Sequence, residues 1–171
     1  WSDPIPLKKT GFDPSLCHDP DGTKWLVNML FDYRLDHKRF GGVGVQQYDP
    51  ETKKLVGPVY NVFKGSDKGT TEGPNIFYHD GWYYLVTAEG GTEFKHCVTM
   101  CRSEKLTGPY EISPYVPVLT SFGKDVQLKR AGHGQIIQGK DGNWYMAHLC
   151  SRSLDNCSTT GRETAIQNML Y

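Results

Sequence analysis

Residues Thr70–Glu89, TTEGPNIFYHDGWYYLVTAE, decide the fold. Asn75 to His79 reads as a short strand, Asp80-Gly81 as the two-residue turn favoured by right-handed strand twist, and Trp82 to Thr87 as the returning strand. Glu72 stands at the mouth of this hairpin, and Gly73-Pro74 after it make a stiff corner that presents the carboxylate just before the strand.

The pattern is repeated. Asp21-Gly22 precedes Trp25-Leu26-Val27, Asp80-Gly81 precedes Trp82-Tyr83-Tyr84, and Asp141-Gly142 precedes Trp144-Tyr145-Met146. The turns are 59 and 61 residues apart, a period of about sixty that marks a repeated sheet unit rather than one large sandwich. Eight residues before each turn aspartate stand Asp13, Glu72 and His133, each ionisable, each next to Gly or Pro, each opening the first strand of its unit. If the units pack radially, as propeller blades do, the first strands line the axis and the three side chains converge there.

Composition sets the frame. The 171 residues are 37% hydrophobic and 22% charged, ordinary for a globular domain. Nineteen basic and nineteen acidic residues cancel, so no field exists to attract nucleic acid or an anionic membrane, and no apolar run reaches the length of a membrane helix. The expected partners therefore include no nucleic acid and no membrane. The chain opens at Trp1-Ser2-Asp3-Pro4 without an initiator Met and stops inside a strand-like run, so a portion of a longer protein is expected. Cys17, Cys97, Cys101 and Cys150 fall in apolar strand-like runs, where thiols act as small hydrophobes. A cytoplasmic setting is thus expected over a secreted one, against the single sequon Asn156-Cys157-Ser158. No GxSxG elbow or phosphate loop is present.

In chain order, Trp1–Leu7 reads as an outer edge strand of a preceding unit. The first full unit spans 11–64, with strands at Phe12–Cys17, Lys24–Phe31, Val43–Tyr48 and Pro58–Phe63. The second spans 70–113, and the third spans 130–171 and is incomplete. Leu55-Val56-Gly57-Pro58 and Leu106-Thr107-Gly108-Pro109 read as the same turn into an outer strand. The segment 113–129 reads as a connector, and Glu89, a carboxylate that competes with Glu72, reads more simply as a turn residue because it follows a strand and precedes Gly90-Gly91. With no helical period of useful length, the chain is all-β.

These residues resemble glycoside hydrolase family 43, in its β-xylosidase and α-L-arabinofuranosidase branch. The matching stretches are WSDPI, GFDPSLCHDPDG, KWLVNML, LTGPYE, TEGPNIF, YYLVTAEGGT, RAGHG and GRETAIQ, spread over nearly the whole chain. The resemblance implies part of a five-bladed β-propeller: about three consecutive blades of four-stranded antiparallel sheets, with one blade upstream and one downstream. It also implies inverting hydrolysis of terminal β-1,4-xylosyl or α-L-arabinofuranosyl bonds in xylan-derived oligosaccharides, with no cofactor required. Inversion needs two carboxyls roughly 6.5–9.5 Å apart, with water between them.

By this resemblance Glu72 of TEGP matches the general acid, and Asp13 of FDPS the carboxylate that orients it and tunes its pKa. The general base belongs to the upstream blade, so these 171 residues alone are expected to be inactive. His133 of RAGHG matches an axial histidine that hydrogen-bonds near the acid, the alternative being water-mediated ligation of a structural Ca2+. Arg162 of GRET matches an arginine that reaches sugar hydroxyls; a surface ion pair with Glu163 is the competing reading. Phe12 and Phe31 are candidate sugar platforms that core packing also explains, and His96 is a candidate for the outer subsite or a plain strand-edge residue. A sugar-binding propeller without catalysis is the alternative function, and a homo-oligomer of the full-length protein is left open.

Overall fold

A computed structural model describes residues 1–7 and 10–169. All its regular elements are strands: β1 (Phe12–His18), β2 (Lys24–Phe31), β3 (Phe40–Asp49), β4 (Lys54–Phe63), β5 (Glu72–His79), β6 (Trp82–Glu89), β7 (Cys97–Ser103), β8 (Glu111–Ile112), β9 (Leu119–Thr120), β10 (Leu128–Gln138), β11 (Trp144–Arg152) and β12 (Glu163–Met169). They form three antiparallel sheets, ordered β1-β2-β3-β4, β5-β6-β7-β8 with β9 also on β7, and β10-β11-β12. The first strands run side by side, β5 against β1 and β10 against β5. This is the radial arrangement that the sixty-residue period predicts.

Several details differ from the sequence reading. Trp1–Leu7 pair with none of the described residues; the unit expected to precede them lies outside these 171 residues. Leu55-Val56-Gly57-Pro58 are not a turn but already part of β4, where a bulge against Val45–Gln47 absorbs the glycine. The 113–129 connector contains β9, which pairs with the start of β7 while β8 pairs with its end. Leu170 and Tyr171, the end of the expected last strand, lie outside the described residues.

The three hairpins also close differently. Asp80 and Gly81 both have positive φ, 45° and 84°, and directly join the pair His79↔Trp82, a two-residue turn. In the outer two, a five-residue loop joins His18 to Lys24 and Gln138 to Trp144, and the turn aspartate accepts from Thr23 N or Asn143 N. The extra residues, Asp19, Pro20 and Thr23 in one loop and Gly139, Lys140 and Asn143 in the other, lengthen it by an Asx-type turn.

Two apolar clusters hold the sheets together. Val27, Val43 and Val45 from the first sheet pack with Ile76, Leu85 and Cys101 from the second. Val86 and Val98 from the second pack with Ile136 and Met146 from the third. The second sheet is thus covered on both faces. Cys17, Cys97, Cys101 and Cys150 are buried free thiols in these layers; burial, with the Asp19 carboxylate, pushes Cys17 up to about 12.

Candidate functional site

Each first strand carries an irregularity at the repeated ionisable position. Pairing slips between Phe12 and Ser15 around Asp13, between Glu72 and Asn75 after Glu72, and on both sides of Gly132 before His133. A bulge bends its strand and re-aims a side chain, and here it does so three times at one level of the fold. Asp13 and His133 have φ of 51° and 46°, and Gly73 after Glu72 has 57°. Left-handed backbone is unusual for non-glycine residues; the first and third units adopt it at the ionisable position itself, and the second one residue later, at a glycine.

The bulges bring the three residues together. Gly73 N donates to Asp13 Oδ2 at 3.0 Å, so the Asp13 carboxylate grips the peptide next to Glu72. Ser15 Oγ donates to Pro74 O at 2.6 Å and fastens the same two strands one step further on. The His133 ring lies across Gly73: a Cβ built there would meet Nε2 at 2.4 Å, so only glycine allows this approach.

Glu72 is half-buried, and its pKa is raised, first by burial and then by the Asp13 carboxylate. His133 and Arg162 pull it down without reversing the shift. The structure therefore places Asp13, Glu72, His133 and Arg162 in one electrostatic neighbourhood, although they come from three sheets and one loop.

Arg162 makes no surface pair with Glu163; that partner is Arg152, whose Nη2 lies 2.9 Å from Glu163 Oε2. Arg162 instead lines a cavity of about 240 Å³ with His96, Arg130 and Ser151. His96 is not a strand-edge residue but is buried ahead of β7, its ring filling the space a Cβ on Gly132 would need. Its Nδ1 meets Arg130 O at 3.0 Å while Nε2, also buried, has no hydrogen-bond partner. Burial holds its pKa low, so the neutral ring donates from Nδ1 and leaves Nε2 as an acceptor.

Phe12 is 40% exposed beside Asp13, with its ring centroid 6.3 Å from Phe31, which in turn packs on Tyr33 at 4.7 Å. Neither Phe12 nor Phe31 belongs to the buried clusters. Among the described residues no group of three or more His, Cys, Asp or Glu has the geometry of a metal site.

Glu89 is where the sequence reading fails most clearly. It is the last residue of β6, fully buried, and accepts hydrogen bonds from Ser66, Thr71 and Thr99. Its neighbours Gly90-Gly91 concealed it, and Thr87-Ala88-Glu89 continuing the strand was the signal available.

An axis lined by a desolvated acid, a carboxylate that grips it, an arginine and exposed aromatic rings is suited to acid chemistry on a polar, ring-shaped substrate. Residues 1–171 match the family described as Glycosyl hydrolases family 43. The chain belongs to that family, and its sheets are blades of the family's five-bladed β-propeller. It is 50% identical to a xylosidase/arabinosidase 43B of Humicola insolens, covering 100% of this chain and 32% of that protein. It is 46% identical to a xylan 1,3-β-xylosidase of a Vibrio species, covering 98% and 34%. The crystal structure of a xylan β-1,4-xylosidase from Bacillus halodurans C-125 superimposes with a TM-score of 0.95 at 52% identity, over 98% of this chain and 33% of that one. The chain spans about a third of the length of these relatives.

Proposed function

We propose that this chain supplies the acid half of an inverting glycosidase that removes terminal β-1,4-xylosyl, and also α-L-arabinofuranosyl, units from xylan-derived oligosaccharides. One observation carries the reading: burial and the Asp13 carboxylate raise the pKa of Glu72. A general acid must keep its proton near neutral pH, and this environment favours that. In the proposed reaction Glu72 protonates the glycosidic oxygen as the bond to the anomeric carbon breaks. Asp13 fixes the acid's backbone through Gly73 N and tunes its proton affinity. Arg162 and His96 Nε2 meet sugar hydroxyls, Phe12 and Phe31 offer ring faces, and His133 has a hydrogen-bonding role rather than holding Ca2+.

The water-activating carboxylate comes, in this reading, from a blade outside these 171 residues, in keeping with the third of the relatives' length that the chain spans. A reducing, cytoplasmic setting is part of the proposal, supported by five free cysteines of which four are buried in the sheets. The test is xylose release from xylobiose, and arabinose release from an arabinofuranoside, by the full-length protein carrying these residues. Glu72→Gln is expected to lower turnover at least ~10²-fold. A folded parent that releases neither sugar overturns the proposal.

A further inference from the structure

We infer that Glu89 is a positioning residue for Glu72, acting through Thr71 to hold the chain upstream of the acid as Asp13 holds it downstream. The inference rests on the reading of Glu72 as general acid. Glu89 Oε1 accepts from Ser66 N at 2.9 Å and from Thr71 Oγ1 at 2.6 Å, while Oε2 accepts from Ser66 Oγ and from Thr99 Oγ1 at 2.7 Å. Four donors meet the two oxygens of a side chain with no solvent exposure.

Burying a carboxylate is costly even when it is fully hydrogen-bonded, and apolar side chains of the same volume fill such a place at least as well. What the carboxylate adds is fixed geometry. The piece it fixes is the segment entering β5: Gly90 N donates to Gly69 O at 2.7 Å beside the Glu89 contacts, and the ladder itself begins at Glu72↔Ala88.

That segment is strained at Thr70, a β-branched residue with φ of 50°, while Gly73, at 57°, takes a conformation open to glycine; Glu72 lies between these two left-handed positions. A left-handed β-branched residue persists only where the surroundings over-determine it. On one side Asp13 takes the Gly73 amide; on the other Glu89 takes the Thr71 hydroxyl. The acid is thus clamped by two carboxylates, and the Glu89 carboxylate is fully buried, its oxygens met by Ser66, Thr71 and Thr99.

The test uses leaving-group dependence in the full-length protein. Protonation by Glu72 matters for xylobiose, whose leaving group is an alcohol, and little for 4-nitrophenyl β-xyloside, whose phenolate departs unassisted. Thr71→Val and Glu89→Gln are expected to slow xylobiose about tenfold or more and the nitrophenyl substrate less than about threefold. Thr71→Ser, which keeps the hydroxyl, restores xylobiose turnover, and Thr99→Val, on the far side of the carboxylate, has the smaller selective effect. Equal loss on both substrates, or no loss in Thr71→Val, overturns the inference. If Glu89→Gln does not fold, Thr71→Val decides alone, since it leaves the other three hydrogen bonds in place. Glu72→Ala is the reference. Without selectivity in that variant the general-acid reading falls and the inference with it; selectivity there but none in Thr71→Val removes the inference only.

Discussion

The second and third sheets are built from the same hairpin signature, yet their burial differs. In the second, β6 ends in five buried residues and β7 is almost wholly enclosed, because apolar layers from the first and third sheets cover its two faces. In the third, no further strand among the described residues follows β12, which is mostly exposed within these 171 residues, Ile166 keeping 70% of its surface accessible. The difference shows that the hairpin writes the strand, while neighbours on both sides make it a core. It also explains why the acid belongs to the middle sheet: Glu72 loses water there, and loss of water is the first cause of its raised pKa.

Truncation should give the largest contrast. Leu85→Ala, at 0% exposure, is expected to cost about 3 kcal/mol, whereas Ile166→Ala, in these 171 residues taken alone, changes stability by less than about 0.5 kcal/mol. Urea unfolding midpoints measure both, and equal costs would break the comparison.

Two glycines sharpen it next. Gly81 has φ of 84° with open space around its Cα, so Gly81→Ala pays backbone strain alone, about 1 kcal/mol. Gly73→Ala pays similar strain and also drives a methyl into the His133 ring. It should be the more destabilising by thermal melting, and should lower activity where Gly81→Ala does not.

The smallest expected effect is a matter of sign. The Asp13 carboxylate raises the pKa of Glu72 and Arg162 lowers it. A general acid works while protonated, so activity falls as pH rises through its pKa. Asp13→Asn should therefore move the alkaline limb of kcat/KM to lower pH, and Arg162→Gln should move it higher, whatever each does to the rate itself. Limbs that shift in the same direction would separate these residues from the field of Glu72.

Much of this was legible in the residues. The DG turns and the sixty-residue period gave the strands and their grouping, and counting back from each turn reached Asp13, Glu72 and His133, the three positions where the ladders slip. The misses share a cause. Glu89, His96, the partner of Glu163 and the strand at Leu119–Thr120 all depend on what lies across a gap of many residues, and neither propensity nor spacing records that.

By itself the sequence determined an all-β chain of repeated hairpins with ionisable heads, because turn chemistry and strand alternation act over a few residues. Tertiary structure alone decided which heads lose water, that Asp13 grips the Gly73 amide, and that Glu89 is a buried anchor rather than a turn residue. Desolvation and hydrogen-bond partnership are set by contacts between sheets, and those exist only once the blades have packed.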